Sequence, residues 1–145
     1  ATLDAGPSIE GLRVLVVEDG PTITHGGMPF GAGTVAARAH GAGELVDPRP
    51  YAVGSLRAVY EKYPHIGAVL PAMGYGDEQL RELAATIAAT PCDVVVSGTP
   101  IDLTAALQVA GSPDRPIRHV AYDLDDGTKA QLAALLEPWI VRWTA

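Results

Sequence analysis

The sequence predicts an α/β protein in three layers, with an open, mainly parallel sheet of about five strands and helices on both faces. Short continuous apolar runs, of which residues 14–17 are the clearest, are typical of parallel strands covered on both faces. Helical patterns separate these runs. In residues 80–88, apolar side chains recur at positions i, i+3, i+4, i+7 and i+8. Strands that alternate with helices in this way indicate a parallel sheet.

Turn and capping residues set the expected boundaries of these elements. Pro48 and Pro50 exclude regular structure after the second strand, and Pro64 ends the helix that begins at Ser55. Asp77 is expected to be the N-cap of the clearest helix. The predicted strands are residues 14–17, 44–46, 68–71, 93–97 and 117–122, and the predicted helices are residues 34–40, 55–63, 78–88, 103–109 and 128–136. We expect residues 1–12 to be a linker or arm and residues 13–145 to form a single domain.

Composition excludes several classes of function. Ten basic against seventeen acidic residues give a net charge of −7, and no basic stripe is interleaved with aromatic residues, so nucleic acid is not an expected partner. The lone Cys92 excludes an internal disulfide. No apolar run approaches the roughly 20 residues that cross a bilayer, and no signal pattern opens the chain, so we expect a cytoplasmic protein without a membrane partner. Trp139 and Trp143 are expected to cover a sheet edge or a neighbouring subunit, and we expect a homo-oligomer.

Polar clusters follow four of the predicted strands. They are residues 18–19, 47–49, 73–76 and 99–102. In open parallel sheets, ligands bind beyond the carboxyl ends of the strands, because loops and helix N-termini converge there. The sequence therefore predicts a binding site at this edge of the sheet.

Glu18 and Asp19 directly follow the most hydrophobic strand. Paired carboxylates in this position suit a magnesium ion beside substrate phosphates, because a hard cation prefers oxygen ligands. In the alternative interpretation, Asp19 and Thr22 only shape a turn beside Gly20 and Pro21. The residues alone leave both interpretations open.

A glycine-rich stretch after this pair is expected to be a long loop. Gly26, Gly27, Gly31 and Gly33 would let backbone amides approach an anion and deliver it to the N-terminus of the following helix. The alternative is a mobile surface loop. Loops above about 12 residues are uncommon without a function, which favours the first interpretation.

His25 and Arg49 are candidate catalytic residues. His25 has an ordinary pKa near neutrality and suits a proton donor or a phosphate contact; the alternative is a loop histidine bonded to the backbone. Arg49 lies between two prolines, and this stiff backbone suits an anion clamp. The alternative for Arg49 is a salt bridge with Asp47 or Glu44.

Four sequence blocks together resemble one known family. The blocks VLVVEDGPTITHGGMPFGAG, VDPRPYAVGSL, YPHIGAVLPAMGY and GTPIDL resemble the C-terminal part of the cyclic 2,3-diphosphoglycerate synthetase family, whose relatives are often labelled GTPases. The resemblance runs from about residue 13 to residue 125 in the same order. It implies an enzyme that uses GTP or ATP with magnesium to form or hydrolyse a phosphoanhydride on a small phosphorylated substrate. It also implies a fold like the later part of a P-loop NTPase-like or Rossmann-like protein.

The resemblance also implies roles for individual residues. Glu18 and Asp19 look like the strand-end acids near magnesium, with Asp19 in a catalytic role. Thr99 and Asp102 look like a loop that recognises the nucleotide base, although Asp102 also suits the N-cap of the next helix. His25 and Arg49 fall within the shared blocks, where they look like contacts to a phosphate or an acyl phosphate.

The sequence departs from the family pattern at one important point. It has no GxxxxGK[ST] motif, and its two lysines, Lys62 and Lys129, are not placed as phosphate-loop lysines. We therefore expect the chain to be the C-terminal part of a longer protein, whose N-terminal P-loop portion, or another subunit, completes the site. The competing hypothesis is a non-catalytic α/β module that binds a phosphorylated metabolite or mediates oligomerisation.

Overall fold

Strands and helices alternate along the described part of the chain. The computed structural model describes residues 2–4, 6–74, 76–99, 102–110 and 115–121. The strands are β1 (Thr2–Leu3), β2 (Arg13–Asp19), β3 (Glu44–Leu45), β4 (Leu70–Ala72), β5 (Val94–Ser97) and β6 (Ile117–Ala121). The α-helices are α1 (Gly20–His25), α2 (Ala32–Ala39), α3 (Ser55–Lys62), α4 (Asp77–Ala89) and α5 (Leu103–Ala110), and a 3₁₀ helix spans Arg49–Tyr51.

Strand β2 is the centre of the sheet. It pairs in parallel with β5 along one side, and its other side is shared by β3, which pairs with its beginning, and β4, which pairs with its end. Strand β6 extends the sheet in parallel beside β5, and β1 closes that edge as an antiparallel strand. Because Val17 is level with both Leu70 and Ser97, the carboxyl ends of β2, β4 and β5 meet at one edge.

The two faces of the sheet carry separate apolar layers, which confirms the predicted three-layer α/β fold. Side chains alternate along a strand, so Leu15 and Val17 of β2 point to one face and Val14 and Val16 to the other. On the first face they pack with Leu56 of α3, Leu80, Leu83, Ala84 and Ile87 of α4, and Leu103 and Leu107 of α5. On the second face they pack with Ile23 of α1 and with Ala36 and Ala37 of α2.

Helix α1 lies inside the stretch that was predicted to be loop, so that prediction was wrong in part. The segment GPTITH has a poor composition for a helix, and propensity gave no reason to expect one. Its proline lies in the first turn, where the fixed φ angle of proline suits a helix. Ile23 is fully buried against the sheet, so tertiary packing outweighs local preference here.

Strand β1 and Ile9, near the start of the chain, pack against the sheet. Strand β1 pairs with β6, and Leu3 and Ile9 lie in the apolar layer that contains α1 and α2. At the clearest helix, Asp77 is the first helical residue and Gly76 is the N-cap, one position earlier than predicted. The predicted helix at residues 128–136, Trp139 and Trp143 lie outside the described residues.

The helices are short. Helix α4 has 13 residues, and α2, α3 and α5 have eight residues each. Within the described ranges, no helix combines the length and the apolar character that crossing a membrane requires.

Replacement of Ile9 tests whether the first twelve residues belong to the folded unit. Ile9 is 2% exposed, so Ile9→Ala should lower the free energy of unfolding by about 2–4 kcal/mol through lost burial and a residual cavity. The exposed neighbour Glu10→Ala is the control and should change stability by about 0.5 kcal/mol or less. Urea denaturation measures both variants, and equal stabilities would contradict the packing of the arm.

Candidate functional site

The carboxylate of Glu18 lies at the start of α2 and accepts four hydrogen bonds. Its Oε1 accepts the backbone N–H of Gly33 at 2.8 Å. Its Oε2 accepts the N–H of Gly31 at 2.5 Å and both the N–H and the hydroxyl of Thr34, at 3.1 and 3.2 Å. Glu18 is only 1% exposed. The anion at this helix N-terminus is therefore a side chain of the same chain, and it is matched by amides and by the helix dipole.

Two glycines allow the sheet, the loop and this carboxylate to approach one another. A Cβ atom at Gly33 would lie 2.7 Å from Oε1 of Glu18 and 2.8 Å from Cγ1 of Val16, closer than real Cβ contacts. A Cβ atom at Gly98, after β5, would also collide with Glu18. From the sequence, we expected Gly33 to let a backbone amide approach a bound anion. In the structure, the two glycines make room for Glu18.

Glu18 does not fit the role of a magnesium ligand that the resemblance implied. Both of its oxygen atoms already accept hydrogen bonds, and the residue is closed to solvent. Within the described ranges, no group of three or more His, Cys, Asp or Glu side chains could hold a metal ion. Magnesium stays a prediction that needs ligands beyond Glu18.

Asp19 lines a cavity of about 250 Å³ at the carboxyl edge of the sheet. Its Oδ2 accepts a hydrogen bond from the Thr22 hydroxyl at 2.5 Å, and because Thr22 lies in α1, this bond joins the end of β2 to the first turn of that helix. A carboxylate has about four lone-pair positions, so this bond leaves Asp19 able to accept from a ligand. The cavity is lined by Glu18, Asp19, Thr22, Ile23, Gly31, Ala32 and Gly98.

Other predicted site residues lie elsewhere around α1 and β3. His25 is the last residue of α1, and Gly26 and Gly27 form the turn after it; all three are exposed and none lines the cavity. The guanidinium of Arg49 donates to both oxygens of Asp47, each at 2.9 Å, so the salt bridge considered for Arg49 is present. Phosphate contacts by these residues stay predictions.

Thr99 and Asp102 lie between β5 and α5. The Thr99 hydroxyl is 3.0 Å from the hydroxyl of Ser97, and Thr99 is 8% exposed. Oδ1 of Asp102 accepts the N–H of Ala105 at 3.2 Å, which is the N-cap bond that the sequence offered as one role for Asp102. Recognition of a nucleotide base by these two residues stays a prediction.

His119 lies between two carboxylates. Its Nδ1 is 3.6 Å from Oδ2 of Asp4, and its Nε2 is 3.6 Å from Oδ1 of Asp102. Nε2 is buried and has no hydrogen-bond partner among the residues that the structure describes. No sequence spacing connects Asp4, Asp102 and His119, so only the fold could reveal this cluster.

Sequence reasoning missed three residues that line the cavity: Ile23, Ala32 and Gly98. They are apolar or lack a side chain, so no chemical signal identified them. Thr22 was considered only for the turn. Its spacing of three residues from Asp19 is the one signal that could have placed both in a site.

The fold and the site define the class: an α/β protein with an acidic cavity at the carboxyl edge of a parallel sheet. Over 137 residues, the chain is 50% identical to the arginine synthetase ArcE of Thermococcus kodakarensis. The match covers 94% of this chain and 30% of that relative, so the chain spans less than a third of its length. No family model matches the chain, and no solved structure matches it. The resemblance to a synthetase is supported, although the relative's name differs from the family named above.

Replacement of Glu18 tests the internal carboxylate. In Glu18→Gln one oxygen becomes an NH₂ group that faces N–H donors, and the charge at the start of α2 is lost. We expect the free energy of unfolding to fall by about 3 kcal/mol, since hydrogen bonds to a buried charge contribute about 1.5–3 kcal/mol each. Asp19→Asn is the control on the cavity wall and should change stability by about 1 kcal/mol or less. Equal losses in urea denaturation would contradict the special role of Glu18.

The Asp47–Arg49 pair should give a small pH-dependent stability. The hydrogen bond from the Arg49 side chain is the main cause that holds the pKa of Asp47 below its ordinary value. The folded pKa is thus below the unfolded pKa of about 3.9, so the stabilisation is complete above the unfolded pKa and is lost as the pH falls through the folded pKa. Both side chains are partly exposed, so we expect only about 0.5 kcal/mol.

Urea denaturation of the parent and of Asp47→Asn at pH 7 and pH 2.5 measures this effect. The variant should be less stable at pH 7 and equal to the parent at pH 2.5. Glu61→Gln, an exposed position on α3, controls for the change in net charge. A difference that grows toward low pH would contradict the assignment.

Proposed function

We propose that this chain is part of a nucleotide-dependent synthetase, in which the cavity beside Asp19 binds a substrate. The observation that carries the proposal is the 50% identity to a synthetase over 94% of the chain. The position of the cavity supports it, because open parallel sheets bind ligands beyond the carboxyl ends of their strands. The chain spans only 30% of that relative, so the activity of the whole protein is part of the proposal.

A synthetase of this kind forms a bond at the expense of GTP or ATP. No lysine lines the cavity among the residues that the structure describes, and the sequence has no phosphate-loop motif. We therefore propose that an N-terminal P-loop portion of the same protein, or another subunit, binds the nucleotide phosphates and magnesium. This chain would then supply the surface that holds the second substrate.

Two substrate classes follow from the two resemblances. The name of the T. kodakarensis relative states that it synthesises arginine, and the family resemblance implies a small phosphorylated acid. We propose the arginine-forming reaction, because it is the one supported by an identity of 50%. The phosphoanhydride-forming reaction is the alternative outcome of the turnover test.

Three side chains beside the cavity have a proposed part in this function. Asp19 contacts the substrate, and the Thr22 hydroxyl orients the Asp19 carboxylate through its hydrogen bond. Glu18 acts through the backbone, because its bonds to Gly31 and Gly33 hold one wall of the cavity in place. Such a supported wall is the preorganisation that catalysis requires.

Asp19→Asn tests the proposed function in the complete gene product that carries this chain. Release of ADP or GDP is measured with arginine precursors and, separately, with 2,3-diphosphoglycerate. We expect kcat/KM to fall by about 100-fold, because a charged hydrogen bond to substrate is lost while the fold is kept. The matched control is Asp77→Asn at the exposed start of α4, which should keep the parent rate.

Unchanged turnover in Asp19→Asn would contradict the assignment of the cavity to the active site. Ligand binding without any turnover by the complete protein would favour the non-catalytic module. A fall in kcat/KM only with 2,3-diphosphoglycerate would overturn the arginine-forming reaction and support the alternative.

A further inference from the structure

Among the described residues, the cavity beside Asp19 has a carboxylate on its wall and no side-chain cation to match it. We propose that it binds the guanidinium group of an arginine-like substrate or product and does not bind a phosphate. The inference rests on the proposed function and specifies which chemical group this part of the site recognises. It reverses the phosphate-binding interpretation of the glycine-rich loop.

The backbone donors that would serve a phosphate are already used. The N–H groups of Gly31, Gly33 and Thr34 all donate to the Glu18 carboxylate. A phosphate at this helix start would have to displace a carboxylate that is 1% exposed and accepts four hydrogen bonds. Displacement would leave a buried charge without partners, which costs several kcal/mol.

The electrostatics of the cavity also disfavour an anion. No Lys or Arg lines it within the described ranges, whereas Asp19 and Glu18 are both on its wall. Helix α1 begins directly after Asp19, and α2 begins beside Glu18, so a carboxylate of the chain already lies at each helix start. Because the charge of Glu18 is already matched by amides, the Asp19 carboxylate sets the local charge, which repels a phosphate and attracts a cation.

The walls suit a planar, weakly hydrated cation. Ile23 and Ala32 give an apolar surface, and Gly31 and Gly98 contribute backbone without a side chain. A guanidinium group tolerates apolar contact on its faces and donates along its edge in a fork that matches a carboxylate. A compact ammonium or a hydrated metal ion would lose more hydration against these walls. Asp19 is the carboxylate that can accept this pair of hydrogen bonds, because both oxygens of Glu18 already accept hydrogen bonds from backbone amides.

A divalent cation is the other source of positive charge. The described residues hold no cluster of three or more metal-ligating side chains, and the cavity offers only one carboxylate with spare capacity. We therefore assign the site to the guanidinium and treat the metal ion as an outcome of the test.

The test is a titration of the ¹⁵N-labelled 145-residue chain without nucleotide, followed by amide chemical shifts. The four probes are L-arginine, L-citrulline, sodium phosphate and magnesium chloride; citrulline has the same shape as arginine but no charge. We expect arginine to shift the amides of Thr22, Ala32 and Gly98, and citrulline to bind about tenfold more weakly or worse. Asp19→Asn should weaken arginine binding by about tenfold or more, and the matched control Asp77→Asn should leave it unchanged.

Three patterns of binding would overturn the proposal. They are shifts of these amides by phosphate, shifts by magnesium chloride with none by arginine, and equal binding of arginine by the parent and by Asp19→Asn. Absence of any shift at tens of millimolar arginine would also overturn it. Because nucleotide is left out, failure here is distinct from failure of the proposed function, which depends on turnover by the complete protein.

Discussion

The buried carboxylate of Glu18 connects the central strand to the helix layer on the face that carries α1 and α2. It ends the apolar run of β2, and its two oxygens accept the amides that open α2. Burial of a charge is costly unless every oxygen is satisfied, and here the hydrogen bonds and the helix dipole satisfy it. The positions of Gly31, Gly33 and Gly98 follow from this one group, because each backbone passes close to its oxygen atoms.

The same interaction shapes the candidate site. Since Glu18 faces the inside of the fold, Asp19 is the next residue along and lies on the wall of the cavity. Two adjacent acids thus have different surroundings. Glu18 accepts hydrogen bonds from buried backbone amides, whereas Asp19 accepts one from a threonine hydroxyl at the surface. A strand alternates its side chains, so this division of roles is a direct consequence of β-strand geometry.

The comparison with the T. kodakarensis synthetase covers only part of that relative, because the matched region is 30% of its length. Among the described residues, the lining of the edge cavity offers one carboxylate that can still accept hydrogen bonds and no cationic side chain. Cationic side chains stabilise a phosphoryl group in transfer, so we propose this cavity for a substrate group and not for the transferred phosphate.

The sequence by itself determined the layered α/β fold and indicated the edge of the sheet where the cavity lies. The period of apolar residues in β2 and α4 carries that information directly. It also identified Asp19 and the glycines as special, since both residue types are chemically conspicuous.

Only the tertiary structure decided what these residues contact. Helix α1 forms despite its composition because Ile23 is buried, the glycine amides bind Glu18 in place of an external anion, and His119 meets Asp4 and Asp102 across the sheet. Each of these contacts joins groups that are far apart in the chain. Their burial, charge and distances arise only when the chain folds, so the local sequence does not reveal them.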